Sequence, residues 1–231
     1  MKHLILIAAL MSASAHADTR LEVMGGNCAH KLAPDSSWHY EYGGYQTNMD
    51  LSPKCLQLGL AVLPFRDFGW SWGFRAAYVD LGKVQADNTF PVNEPEYFRA
   101  REAGDTVNSA TGRFQGQGGT RGLTLGLATE RKVGPLYVGP EAGVAILYSR
   151  WTVMLEQQYQ TLDIGCRHDW ACANGWNATG YVGSTLRYKL VQASFRHYLN
   201  VHASQAEKNP LFIGPTTGPV NAFLIGLSIP L

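Results

Sequence analysis

Eight stretches of this 231-residue chain alternate apolar with polar or small residues at a period of two, and their connections alternate short and long. They fall at about 19–27, 54–64, 70–83, 114–130, 134–150, 176–189, 190–202 and 219–231. In the third, Trp70, Trp72, Phe74, Ala76 and Tyr78 oppose Ser71, Gly73, Arg75 and Ala77. In the fourth, Leu123, Leu125 and Leu127 oppose Thr124, Gly126 and Ala128. The seventh sets Ala193, Phe195, Leu199 and Val201 against Gln192, Ser194, Arg196 and Asn200, with His197 interrupting its apolar face. Alternation of this kind places successive side chains on opposite faces of a strand.

Short connections are expected at Pro64–Gly69, Arg131–Val133 and Lys189–Leu190. Long ones are expected at Cys28–Lys54, Val84–Arg113, Trp151–Gly175 and Ala203–Gly218. Tight turns at one end and long loops at the other are the habit of bacterial membrane barrels. The expected fold class is therefore all-β, an eight-stranded antiparallel up-and-down transmembrane β-barrel, porin-like in its wall. A soluble barrel with its apolar face inward shares the periodicity, which does not reveal which face is inside.

The two ends favour the membrane alternative. Met1 to Ala17 reads as a signal peptide: Lys2 and His3, an apolar run from Leu4 to Met11, then Ala15-His16-Ala17 before Asp18. The run is too short to span a bilayer, and the small residues fit a cleavage site. Residues 18–231 then form one barrel domain. At the far end Phe223, Ile225, Leu227, Ile229 and Leu231 share one face, as a closing barrel strand requires. Lys2 is the leader's one formal charge, so the 19 Lys+Arg and 18 Asp+Glu reduce to 18 of each sign in the remainder. That balance gives no support for nucleic-acid binding. No segment after the leader has the 18 consecutive apolar residues of a membrane helix. The expected location is the bacterial outer membrane.

Four cysteines, Cys28, Cys55, Cys166 and Cys172, lie beyond the leader, in a compartment where disulfides persist. Three connectivities are open. Pairing Cys28 with Cys55 and Cys166 with Cys172 is expected, because each bridge then closes one loop. His168 between the last two adds little to a case for metal in an oxidising compartment, and no metal or cofactor is expected. If the apolar faces meet lipid, Glu22, Arg75, Glu141, Arg187 and Arg196 point into the barrel. Charges in so narrow a space must pair, since an isolated buried charge costs several kcal/mol. A salt-bridged plug is expected in place of an open pore.

Two strands carry a family likeness. Gly73-Phe-Arg-Ala-Ala-Tyr-Val-Asp-Leu-Gly82 resembles the G-x-R-x-x-Y-x-D-L-G strand of outer-membrane protein A-like barrels. Leu136-Tyr-Val-Gly-Pro-Glu-Ala-Gly-Val-Ala145 resembles their P-x-Y-x-x-x-x-x-G-x-A strand. The resemblance implies an eight-stranded barrel with a structural or surface-interaction role. It also implies contact with outer-membrane lipids and lipopolysaccharide, assembly by the barrel-assembly machinery, and an extracellular ligand at the loops. One departure is the ending Ile229-Pro230-Leu231, where such barrels carry a terminal aromatic.

A second, shorter likeness points to an enzyme. His202-Ala-Ser204-Gln-Ala206, followed by Asn209-Pro210, resembles a worn form of the H-x-S-N-A … N-P-G motif of lipid A 3-O-deacylases. That resemblance implies His202 as base and Ser204 as nucleophile on an acyl ester. Gln205 replaces the family's Asn, and residues 209–218 hold no Asp or Glu to orient the histidine. A non-catalytic role is therefore the main expectation, with acyl-ester hydrolysis the alternative.

Overall fold

A computed structural model describes residues 18–32, 48–91, 111–157, 160–162, 172–201 and 217–231. Among these residues ten strands run in chain order: β1 Asp18–Leu32, β2 Asn48–Asp50, β3 Lys54–Asp67, β4 Trp70–Pro91 and β5 Thr111–Val133. They are followed by β6 Leu136–Gln157, β7 Gln160–Leu162, β8 Cys172–Tyr188, β9 Val191–Tyr198 and β10 Thr217–Pro230. Eight of them close a ring in the order β4, β3, β1, β10, β9, β8, β6, β5, with β5 pairing back to β4. Every pairing is antiparallel. Closure comes from β1 against β10, in register from Arg20↔Pro230 to Ala29↔Asn221. The three-residue β2 and β7 lie outside the ring, on β4 and β6 respectively. A closed ring has no free edge, which is what a strand-built membrane span needs.

Three two-residue turns join neighbouring strands at one end. At Phe68-Gly69 both central residues have positive φ, 47° and 80°, the backbone hand that matches strand twist in a tight hairpin. The turn between β5 and β6 sits at Gly134-Pro135, not at the expected 131–133. Arg131 and Lys132 are polar, yet they remain in the ladder opposite Val138 and Tyr137. Gly134, at φ 61°, supplies the left-handed residue and Pro135 the fixed negative φ that follows it. Gly134→Ala is expected to cost about 1–2 kcal/mol through that φ alone, measurable as a lower urea midpoint with an unchanged slope. An unshifted midpoint would mean the turn relaxes freely.

Burial is inverted relative to a soluble barrel. Leu125 on β5 is 56% exposed and Ile225 on β10 is 67% exposed, while Glu22 and Arg196 are 0% exposed. The outward rows are Leu56-Leu58-Leu60, Phe74-Tyr78, Leu123-Leu125-Leu127, Val144-Ile146 and Phe223-Ile225-Leu227. The soluble-barrel alternative, with apolar faces inward, is excluded by this arrangement. The inward rows divide into two storeys. Nearest the short turns lie charged and polar side chains; toward the long connections lie Cys28, Cys55, Val79, Leu81, Leu147, Val201 and Val220, packed as one apolar cluster.

One expected face is reversed. The period of two puts Val201 beside Leu199 on the lipid side, but it is fully buried in the apolar cluster. The β9 ladder stops at Tyr198, and the chain is then held by bonds from Leu199 N to Gly180 O, Asn200 N to Thr179 Oγ1 and Val201 N to Gly218 O. That irregular step breaks the period, so the next apolar residue turns inward.

Candidate functional site

The candidate site is the charged storey of the lumen. Period-two geometry alone aims Arg20 and Glu22 from β1, Arg75 from β4, Glu130 from β5 and Glu141 from β6 at the axis. Arg187 from β8 and Arg196 with Gln192 from β9 do the same. All are buried. Nearest the turns, Arg20 Nη1 donates to both Glu130 oxygens at 2.7 and 2.9 Å and also pairs with Asp18. Arg187 Nη2 reaches the same carboxylate at 3.0 Å, its guanidinium stacked 4.1 Å above the Tyr137 ring.

Deeper in, Arg75 Nε donates to Glu22 at 3.1 Å while its Nη1 pairs with Glu141. Arg196 closes on Glu141 from the other side and lies 5.1 Å from the Tyr181 ring centroid. Gln192 Nε2 adds a 3.1 Å bond to Glu22. Arg75 Nη2 stands 3.8 Å from Glu130, so the two levels join into one network crossing the barrel. Four arginines thus interleave with Asp18 and three glutamates, and each charge lies beside at least one of opposite sign. Multiply bonded pairs of this kind offset the desolvation that an isolated ion could not survive.

The five residues singled out from the sequence, Glu22, Arg75, Glu141, Arg187 and Arg196, all lie in this network. Sequence reasoning missed Arg20 and Glu130, although a signal existed: Arg20 shares its face with Glu22, and Glu130 shares one with Ala128. Glu130 matters most among the omissions, since three arginines converge on it.

Cys28 and Cys55 form a disulfide across β1 and β3, with Cα atoms 5.8 Å apart, inside the apolar storey. Cys166 and the Cys172 side chain lie outside the described residues, and the expected second bridge lies there with them. His202 and Ser204 also fall outside. His197, the interruption in an apolar face, is half-buried on the outer wall with Nδ1 2.6 Å from Asn221 Oδ1. The cross-strand pair lets two polar groups satisfy each other on that wall. Among the described residues no group of three or more His, Cys, Asp or Glu could hold a metal ion.

What this arrangement can do chemically is limited. Every carboxylate in it is bound by guanidinium groups, which leaves none to serve as a general base. The charged storey links β1, β4, β5, β6, β8 and β9 across the lumen through these pairs.

No protein-family model matches the chain, and no curated protein matches it. Among solved structures it is similar to Ail, the attachment invasion locus protein of Yersinia pestis, at 10% identity and a TM-score of 0.45. That match covers 94% of this chain and 99% of the other. Ail in complex with the heparin analogue sucrose octasulfate matches at 9% identity and 0.43, with the same coverage. The outer membrane protein OprG from Pseudomonas aeruginosa matches at 13% identity and 0.35, over 94% of this chain and 97% of the other. The architecture stands on its own register and radial burial: a closed, inside-out eight-stranded barrel of the outer-membrane type.

Proposed function

We propose that this protein is a bacterial outer-membrane barrel with a plugged lumen and a structural or surface-interaction role. The observation that carries this is the radial inversion, with an apolar belt outside and a fully paired charge network within. Lipid is the solvent that makes such a belt stable. Residues 1–17 would act as the export leader, and the barrel-assembly machinery would insert the folded wall among outer-membrane lipids and lipopolysaccharide.

The surface role is supported by strand length. About 9–11 residues suffice to cross a bilayer, but β4, β5 and β6 run for 22, 23 and 22 residues. Their ladders continue to Pro91↔Thr111 and Arg113↔Glu156, far past the apolar rows, with β2 and β7 added at the margins. A twisted sheet thus rises on the side of the long connections, where an extracellular ligand would meet it.

The test has three readouts from expression in a Gram-negative host: membrane fractionation with heat-modifiable migration, planar-bilayer conductance, and lipid A mass. Heat-modifiable protein in the outer-membrane fraction, without steady conductance or change in lipid A, is expected. Sustained channels would overturn the plug, and loss of an acyl chain that depends on Ser204 would replace this reading with an esterase. For the wall itself, Leu125→Arg is expected to destabilise the vesicle-inserted barrel by about 2–4 kcal/mol, the midplane penalty. An effect below about 0.5 kcal/mol would place Leu125 away from lipid.

A further inference from the structure

We infer that the outer wall carries a binding site for the phosphorylated headgroup of a lipid in the external leaflet. The site spans β3 to β6 just past the apolar belt, and the inference rests on the outer-membrane reading. On these four adjacent strands the outward apolar runs end in cations: Lys54 beyond Leu56, Lys83 beyond Tyr78 and Asp80, Arg121 beyond Leu123, and Arg150 beyond Ile146 and Tyr148. On β1, β8 and β10 the corresponding outward residues are Asn27, Trp176 then Asn174, and Asn221, and the next outward cation on β1, Lys31, lies further along the strand, so the cations at this level cluster on β3 to β6. All four cations are exposed and line a single groove of about 820 Å³.

The centre of the groove is shaped by glycine. Lys83 pairs with Gly119, and Gly119 pairs with Arg150, so two cations flank a residue without a side chain. Neighbouring strands lie about 4.8 Å apart, which puts Lys83 and Arg150 roughly 10 Å apart at the backbone. Two long side chains at that separation can close on one phosphate from opposite sides, Arg150 through its fork and Lys83 as a point charge. Lys83 faces outward only because β4 carries an extra residue at this point. The register slips between Asp80 and Lys83, and Gly82, at φ 81°, absorbs it while its N–H donates to Asp80 Oδ1 at 2.9 Å. Without the bulge, Lys83 would point into the apolar storey and Val84 outward.

Three features fit a lipid rather than a dissolved anion. Leu56 and Tyr148 line the groove, and from them the outward apolar rows run on to Leu58 and Ile146, where acyl chains would lie. Its one carboxylate, Asp80, is tied to the bulge backbone, leaving an excess of three positive charges around the notch. Cations grouped in this way are drawn to an anionic lipid surface.

The test uses the full-length barrel in nanodiscs of zwitterionic lipid, titrated with bisphosphorylated lipid A and, in parallel, with chemically dephosphorylated lipid A and inorganic phosphate. Wild type is expected to bind the phosphorylated lipid at least tenfold more tightly than the dephosphorylated one, and to bind inorganic phosphate far more weakly. The Lys83→Gln/Arg150→Gln double variant is expected to lose at least tenfold in affinity for the phosphorylated lipid. Lys132→Gln, at the opposite end of the barrel, is expected to change nothing. Equal binding of the two lipid A forms, or an unaltered double variant, would overturn the site while leaving the membrane reading intact. Inorganic phosphate binding as tightly as the lipid would overturn its assignment to a lipid headgroup. A chain that fails to enter nanodiscs as a folded barrel would overturn both.

Discussion

Glu141→Ala is expected to cost the barrel about 3–5 kcal/mol, the penalty for breaking a buried ion pair by removing one partner. The carboxylate holds two guanidinium groups at once, from Arg75 and Arg196, both at or below 1% exposure. Truncation leaves a surplus of positive charge where no water can reach it, and the two arginines, held 66 and 55 residues away in sequence, then repel each other. Urea unfolding from lipid vesicles, followed by tryptophan fluorescence, measures the loss. A second variant separates charge imbalance from lost volume. Glu141→Gln keeps the shape but not the charge and should recover only part of the stability. Glu141→Leu combined with Arg196→Met removes a charge of each sign and should lie much closer to wild type, since apolar replacement of a whole pair is often neutral. If Glu141→Ala cost under about 1 kcal/mol, the storey would have to be hydrated, and the description of the lumen as sealed would be wrong.

How much of the barrel is legible in the sequence follows from where each pattern meets a single solvent. Within the belt, one face meets lipid and the other a packed lumen, so alternation is strong and marks all eight ring strands. Above the belt, β4, β5 and β6 have water on their outer face, where Gln85, Asp87 and Gln117 replace the apolar row. The signal fades there although the ladder continues, so periodicity ends these strands too early. The inward charges are legible by parity, because a long charged side chain on a face of small residues has room only in the lumen. Parity fails wherever an extra residue enters. The bulge at Gly82 and the step after Tyr198 each reverse the faces, and neither leaves a mark in the hydrophobic pattern. Val201 is misplaced by periodicity for that reason, and the outward turn of Lys83 is hidden from it. The enzymatic alternative at His202 and Ser204 depends on residues outside the described structure, and the lipid A assay decides it.

Removing the Cys28–Cys55 bridge is expected to have the next largest effect, and its cause differs from that of Glu141. The two cysteines are 27 residues apart, and a cross-link of that span removes about 3.5 kcal/mol of conformational entropy from the unfolded chain. The β1–β3 ladder ends at Asn27↔Lys54, beside the bridge, and beyond it β1 is tied back by Cys28 N to Pro53 O and His30 N to Leu51 O, at 2.9 and 2.7 Å. The bridge therefore sits where the wall would otherwise begin to fray, in the apolar storey above the charge network. The double variant Cys28→Ala/Cys55→Ala avoids stranding a thiol and places two small apolar groups where sulfur packed. It should lower the unfolding free energy by about 3.5 kcal/mol, with the loss read mainly as easier opening of the rim near the long connections. Hydrogen exchange would report this as faster exchange at the amides of Ala29 and His30, with protection retained at Glu22 and Val23 beside the charged storey. Uniform loss of protection along β1 would mean that the two storeys unfold as one unit. Unchanged stability would show that the unfolded chain is already held compact across this loop.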